Sequence, residues 1–114
     1  MQNIIDDTII LNTEAFHFTE DEFFLFCQKN PELRIERDRD KNIIFMSPLG
    51  TLSGYYEALL IKMVAKWNDR SGLGYVFSSN TGFTLPNGAM RSPDAAWIKK
   101  EKWKKIPLED KEKF

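Results

Sequence analysis

Cysteine and histidine are nearly absent from this sequence, and their scarcity excludes several kinds of site. Cys27 is the only cysteine, so no disulfide can form within the chain. His17 is the only histidine, whereas a zinc ion needs several cysteine or histidine ligands. The P-loop and dinucleotide-binding fingerprints are also missing, because the glycines at Gly72 and Gly74 are typical of a helix end.

The chain lacks an excess of charge of either sign and a long apolar run. Its 114 residues carry a formal net charge of −1, so the overall charge gives no basic footprint for nucleic acid. No apolar run approaches the ~18 residues that a membrane span needs. Asp6 and Asp7 stand where a signal peptide is basic. We therefore expect one cytoplasmic globular domain that does not enter a membrane.

Capping residues and apolar spacing predict two helices. The first follows Thr19, which can form a capping box with Glu22, and it ends at Asn30-Pro31. The second carries an apolar stripe at helical spacing over about four turns and ends at Gly72. The residues of this stripe are Leu52, Tyr55, Tyr56, Leu59, Leu60, Met63, Val64 and Trp67.

The remaining segments predict short strands. Leu33 and Ile35 alternate with polar residues, and "IIFM" follows a charged turn, which is typical of a hairpin. Three more extended stretches are "YVFSSNTGFTL", "AMRS" and "DAAWI", with Asn87-Gly88 predicted as a type I′ turn between the first two. The expected fold is α+β: helix, antiparallel strands, long helix, hairpin and strand, with the sheet packed on the long helix.

Composition suggests three regions along the chain. Residues 1–17 form an apolar N-terminal arm, in which the isoleucines from Ile4 to Ile10 are typical of a short strand or a partner-covered segment. Residues 18–98 form the folded part. Residues 99–114 are rich in lysine around Trp103, which is typical of a solvated linker or of a segment that contacts a nucleic-acid backbone. The acidic residues in the same segment favour the linker interpretation.

Asp94 is the first candidate site residue. It follows Pro93 at the start of a predicted strand, where a rigidly held carboxylate oxygen suits a hard cation such as Mg²⁺. The same dipeptide also occurs simply because proline is tolerated at a strand start and an aspartate there is solvated. The dipeptide alone leaves both interpretations open.

Glu36 is the second candidate. It is either an auxiliary acid of the same site or the partner of Arg34 or Arg37 in an ion pair on the hairpin. Two other features have simpler interpretations. Cys27 lies on an aromatic helix face and is expected to pack in the core, and the polar residues 78–81 suggest a loop rather than a phosphate contact.

The motifs taken together resemble the Uma-two family of restriction endonucleases in the PD-(D/E)XK nuclease superfamily. The resemblance rests on "NPELRIERDRDKNIIFMSPLG", the long helix, "GLGYVFSSNTGFTLPNGAMRSPDAAWI" and "EKW", and it runs from about Phe18 to the C-terminus. It implies a restriction-endonuclease-like core in residues 18–98 and Mg²⁺-dependent hydrolysis of DNA. It also implies that Asp94 is a catalytic, Mg²⁺-binding carboxylate and that Glu36 is an auxiliary acid.

The family pattern also implies a second acidic motif on the next strand and a following helix with a lysine. We expect neither before Phe114, because the acidic residues after Trp97 stand in a lysine-rich segment rather than an apolar strand. The core is therefore expected to be C-terminally incomplete, with an unpaired sheet edge and an uncovered helix face.

Two functional hypotheses follow. The chain is a Mg²⁺-dependent DNA endonuclease of this type that has no useful activity alone, or it is a non-catalytic remnant or interaction module that self-associates through the unpaired edge. The expected partners are DNA and a second copy of the chain or a complementing C-terminal segment.

Overall fold

A computed structural model of the protein describes residues 8–114, so the arm prediction at Ile4 and Ile5 lies outside the described residues. The elements in chain order are β1 (Ile9–Leu11), α1 (Glu20–Lys29), β2 (Arg34–Arg37), β3 (Ile43–Met46), α2 (Thr51–Ser71), β4 (Gly74–Phe77), β5 (Phe83–Thr84), β6 (Met90–Arg91), β7 (Ala96–Lys99), α3 (Lys100–Lys104) and α4 (Leu108–Lys111). The predicted α+β class and the predicted order of the main elements are confirmed. The chain divides into two compact units, residues 8–48 with 84–91, and residues 49–83 with 92–114.

The first unit carries a five-stranded sheet in the order β1-β3-β2-β6-β5. The β2–β3 hairpin is antiparallel, as predicted, and β1 and β6 add antiparallel neighbours on either side of it. Apolar side chains from the helix and from the strands fill the core. Its buried members are Phe23, Ile35, Ile43, Ala89 and Met90. The part of the predicted arm that the structure describes, Ile9–Leu11, is therefore a strand of this sheet.

The helix α1 begins and ends as its sequence predicts. The Glu22 amide donates to Thr19 Oγ1 at 3.1 Å, and the Thr19 amide donates to Glu22 Oε1 at 2.9 Å. This reciprocal pair is the predicted capping box, and it satisfies two amides that have no partner within the helix. The Thr19 backbone bond, followed by the bond to the Thr19 side chain, holds the pKa of Glu22 below its ordinary value.

The predicted type I′ turn at Asn87-Gly88 is wrong. The Gly88 amide donates to the Leu85 carbonyl at 3.0 Å, and the Ala89 carbonyl accepts from the Leu85 amide at 2.7 Å. Only Gly88 of the central residues has a positive φ, at 90°. These features define a three-residue loop, in which a turn with Pro86 at its second position precedes a left-handed glycine. Proline fixes φ near −65° and therefore shifts the turn by one residue relative to the dipeptide signal.

The second unit contains α2, β4, β7 and the two short C-terminal helices. α2 ends as predicted at Gly72, whose φ of 61° gives a left-handed cap. The Gly72 amide donates to the Asn68 carbonyl. β4 and β7 form an antiparallel pair in which Tyr75 faces Ile98 and Phe77 faces Ala96. α2 packs on β4, so in this unit the long helix does cover a sheet, although a small one.

The large apolar stripe of α2 is exposed. Seven of its members are between 36% and 67% exposed, from Leu59 to Met63. The half-buried face of the helix is a different one, lined mainly by smaller residues. Its members are Gly54, Glu57, Ile61, Val64, Ala65 and Asn68. Among the described residues the stripe of α2 is therefore exposed, and α2 packs through the face that carries fewer large side chains.

Two local expectations are corrected. "YVFSSNTGFTL" is not one extended stretch, because a turn closed by the Thr81 amide and the Ser78 carbonyl at 3.1 Å separates β4 from β5. This confirms that residues 78–81 are a loop. Residues 99–114 are not a solvated linker throughout, because the Trp103 ring lies 5.9 Å from Tyr75 and 5.3 Å from Phe77. The Lys111 Nζ lies over the Trp103 ring, 4.8 Å from its centre.

Candidate active site

Asp94 lies two residues before β7, in a bend that follows Pro93. The sequence folds this way because proline starts the extended segment, while Ala96 and Trp97 enter the pairing with β4. The Asp94 side chain is exposed, and within residues 8–114 it makes no hydrogen bond or ion pair. Its carboxylate is therefore accessible to a ligand at the entrance of a strand.

The strand behind Asp94 is held by one asparagine. Asn68 Oδ1 accepts from the Trp97 indole Nε1 at 2.9 Å and from the Gly74 amide at 3.1 Å. The Trp97 ring packs edge-on against Trp67 with a centroid distance of 5.0 Å. A Cβ at Gly74 would collide with the Trp97 ring and stand 2.6 Å from the Ile98 carbonyl, so only glycine fits there. α2 and β4 together fix the strand that follows Asp94.

Glu36 lies in β2, opposite Ile44 of β3. One of its oxygens accepts from Arg91 Nη1 at 3.1 Å, and the Glu36 side chain is only 13% exposed. The sequence left an ion pair with Arg34 or Arg37 as the alternative to a site role. An ion pair does form, but its arginine comes from β6, 55 positions further along the chain. No local pattern identifies such a partner.

Arg37 is a residue of the first unit whose burial the sequence did not reveal. Its side chain is 2% exposed and forms two bonds to the Glu20 carboxylate, at 2.8 and 3.0 Å. Its Nε donates to the Gly88 carbonyl at 3.1 Å, and its guanidinium lies 4.6 Å from the Phe23 ring centre. The only sequence signal for its burial was its position two residues after Ile35, because alternate residues of a strand point to the same face.

Cys27 is half-buried on α1, so the expectation that it packs in the core is met only in part. Burial raises the pKa of its thiol to about 11, against a smaller opposing effect of the Arg37 charge. A thiol with such a pKa is protonated at neutral pH and therefore does not act as a nucleophile.

The structure does not assemble a complete magnesium site from the residues it describes. Within residues 8–114, no group of three or more histidine, cysteine, aspartate or glutamate side chains could hold a metal ion. Glu36 belongs to the first unit, where an arginine holds it, and Asp94 belongs to the second. Mg²⁺ prefers several anionic oxygens in near-octahedral geometry, so the described donor set does not fit it.

The α+β fold with its antiparallel sheets agrees with that of a restriction-endonuclease-like protein. Over residues 20–114 the chain matches the Uma2 family, which is described as "putative restriction endonuclease", and it belongs to that family. No curated protein matches the sequence. Among the described residues, no helix is both long enough and apolar enough to cross a membrane.

Proposed function

We propose that this chain acts in the hydrolysis of DNA phosphodiester bonds and that Asp94 is a ligand of the Mg²⁺ ion that the reaction uses. The observation that carries the proposal is the match to a nuclease family over residues 20–114, which includes Pro93 and Asp94. The position of Asp94 supports it, because its exposed carboxylate lies two residues before β7 and has no partner in the described chain.

Asp94 would supply one hard anionic oxygen to a Mg²⁺ ion whose other ligands the described residues do not provide, and the ion would supply Lewis-acid chemistry at a phosphate. Glu36 is the auxiliary acid of the proposal, with an oxygen oriented by Arg91. Because residues 8–114 contain no group of three acidic or histidine ligands, we propose that this chain alone binds Mg²⁺ weakly and cleaves DNA poorly.

Paramagnetic broadening by Mn²⁺ tests the assignment of Asp94 without requiring activity. In amide NMR spectra of the 114-residue chain, we expect Mn²⁺ to broaden the signals of Ala95–Trp97 first. Asp94→Asn should remove this broadening, whereas Asp69→Asn, an exposed acid on α2 of the same unit, should leave it unchanged. If Mn²⁺ broadens these amide signals in Asp94→Asn as much as in the unchanged protein, Asp94 is not a metal ligand.

A plasmid-nicking assay tests the proposed weak activity. With Mg²⁺ present, neither the chain alone nor its Asp94→Asn variant should convert supercoiled plasmid to nicked circles above the level of a protein-free control. Cleavage that depends on Asp94 would refute the proposed inactivity and support the proposed chemistry. Cleavage that survives in the variant would contradict both.

Self-association is the second candidate function, favoured by the exposed stripe of α2 and by the exposed apolar strand β1 at one edge of the five-stranded sheet. If a fully exposed large side chain presents ~200 Å², the seven members, which are about half exposed, present on the order of 700 Å². That area is about what one partner contributes to a standard interface. The occupant we propose is a second copy of this chain.

The order of residues in the stripe supports that choice. An antiparallel two-fold pairing of two α2 helices places Leu52 against Trp67, Tyr56 against Met63 and Leu59 against Leu60. Each large residue thus meets another large residue, as an isologous dimer requires.

Light scattering tests this pairing. The chain should have twice its 13.3 kDa mass, and Met63→Lys should return it to a monomer, because Met63 is 67% exposed at the centre of the stripe. Leu108→Lys, at an exposed position of α4 outside the stripe, is the matched control. A monomeric wild-type chain, or a dimer that survives Met63→Lys, would contradict the pairing.

A further inference from the structure

A cleft of about 400 Å³ lies in the first unit, and Asp94 is not among the residues that line it. One wall is the segment 12–18 between β1 and α1, and the other is the turn between β2 and β3 together with Arg37 and Ile43. Its volume falls in the range of pockets that hold small organic ligands, ~300–1,000 Å³.

The two walls of the cleft are tied together by the fold. The hydroxyl of Thr13, which is buried, donates to the Lys41 carbonyl at 2.6 Å. Leu11 pairs with Ile43 at the inner end of both walls. The Asp38 carboxylate accepts from the amides of Asp40 and Asn42, which fixes the turn. The cleft is therefore formed before any ligand arrives, which lowers the entropic cost of binding.

Arg37 lines this cleft and keeps one donor unused. Its Nε and Nη2 are bonded to Gly88 and Glu20, but Nη1 is buried and has no hydrogen-bond partner. The Phe23 ring under the guanidinium fixes its plane without offering an oxygen or nitrogen acceptor. A buried donor without an acceptor is unfavourable, so this position favours a ligand that carries one.

Aromatic rings also line the cleft. Phe16 is 63% exposed and His17 next to it is also exposed, so both rings can be covered by a ligand. Phe18 is half-buried and stacks on Phe26 at 5.5 Å with an angle of 28°, which holds the end of the segment in place. Exposed flat rings on a braced segment favour a flat ligand.

The charges around the cleft favour a ligand without a charge. Lys41 and Arg37 contribute two positive charges, but Arg37 is already paired with Glu20, and Glu14 and Asp40 contribute two negative ones. These charges give no net attraction for an isolated phosphate. The amide groups of Asn12 and Asn42 add neutral donors and acceptors to the same walls.

We propose that this cleft binds a single unpaired nucleobase, which stacks on Phe16 and accepts a hydrogen bond from the cleft's donors. A nucleobase is planar, uncharged and edged with acceptors, which are the properties that the rings, the charge balance and Arg37 require. The site is additional to the proposed chemistry at Asp94. Its test uses no metal and no hydrolysis, so a failure here leaves the Asp94 proposal intact.

The experiment is an amide NMR titration of the 114-residue chain with the four deoxynucleosides, and separately with inorganic phosphate. We expect at least one deoxynucleoside to shift the amides of residues 12–18 and 38–42 with a millimolar Kd, and phosphate to cause no such shifts. Shifts of these amides by phosphate alone would show an anion site and overturn the proposal. No shifts at 10 mM of any nucleoside, about tenfold above a 1 mM Kd, would do the same.

Variants separate stacking from general disturbance of the fold. Phe16→Ala should weaken nucleoside binding by about tenfold, since losing one base–aromatic stack has an effect of this order. Phe16→Tyr should restore it, because the flat ring is kept. Leu25→Ala, at a comparably exposed position of α1 outside the cleft, should have no effect. Equal binding by Phe16→Ala and the wild type would refute the stacking role.

Discussion

The two units hold their strands together in different ways. In the first, arginines cross between elements: Arg37 joins β2 to α1 and to the β5–β6 turn, and Arg91 of β6 holds Glu36. In the second, aromatic rings do so, with Trp97 against Trp67 and Trp103 against Phe77. Hydrogen bonds from an arginine fix the orientation and register of the elements that they join, whereas contacts between aromatic rings depend less on orientation. The first unit therefore holds Arg37 and Glu36 in ion pairs, whereas Asp94 of the second unit is exposed and has no partner in residues 8–114.

Removing Arg37 should have the largest effect. Arg37→Ala leaves a cavity beside Phe23 and deprives the Gly88 carbonyl of its donor, so we expect the free energy of unfolding to fall by about 3 kcal/mol. Urea unfolding followed by circular dichroism measures this fall. Arg34→Ala, on the same strand, is the control and should cost less than about 1 kcal/mol. Equal losses in the two variants would show that Arg37 does not join the elements.

Removing Trp103 should have the next largest effect, in the second unit. Trp103→Ala loses the contacts with Tyr75 and Phe77, and we expect a loss of about 2 kcal/mol because the ring is only half-buried. Limited proteolysis should then cut the segment 100–114 earlier than in the wild type. Lys102→Ala, an exposed neighbour in α3, should change neither quantity. An unchanged stability of Trp103→Ala would restore the linker interpretation of this segment.

The cap of α1 should contribute about 1 kcal/mol, measured as the loss of unfolding free energy in Thr19→Ala. The pKa of Glu22 gives the cap a pH dependence. Because the pKa is lowered in the folded state from its ordinary 4.5, the contribution of Glu22 is complete above 4.5 and is lost as the pH falls through the folded value. The stability difference between the wild type and Glu22→Gln should therefore shrink in acid. A difference that grows in acid would contradict the capping role.

The ion pair between Glu36 and Arg91 should contribute less. A double-mutant cycle with Glu36→Ala and Arg91→Ala should give a coupling energy of about 0.5 kcal/mol, since Arg91 is largely solvated. The coupling should weaken in 1 M salt. A coupling of zero would mean that the pair does not orient Glu36, and the auxiliary role proposed for it would lose its structural support.

These contacts show where sequence reasoning succeeds. The capping box of α1, the β2–β3 hairpin and the glycine cap of α2 are set by residues close together in the sequence, and all were predicted. The turn at Pro86 to Gly88 is also local, but two signals compete there, and proline prevailed over the Asn-Gly pair.

The rest depends on contacts between residues far apart in the chain. The bond between Arg37 and Gly88 spans 51 positions, and the pair of Arg91 and Glu36 spans 55. No local pattern states which arginine is buried, and none shows that α2 packs through its smaller face. Asp94 could be singled out only because the family resemblance covers its dipeptide, since a carboxylate without a partner leaves no periodic signal.

Asp94 should have the smallest effect on stability, and this is what distinguishes it from Glu36. Asp94→Asn removes a charge that has no partner in residues 8–114, so the free energy of unfolding should change by less than about 0.5 kcal/mol. Glu36→Gln should destabilise the chain more, because Arg91 loses a charged partner. Urea midpoints of the two variants, measured at neutral pH without metal, give the comparison. If Asp94→Asn is the more destabilising, its carboxylate supports the fold and the simpler reading of the Pro-Asp pair is correct. If Asp94→Asn keeps full stability but loses the Mn²⁺ broadening, the carboxylate serves a ligand rather than the fold.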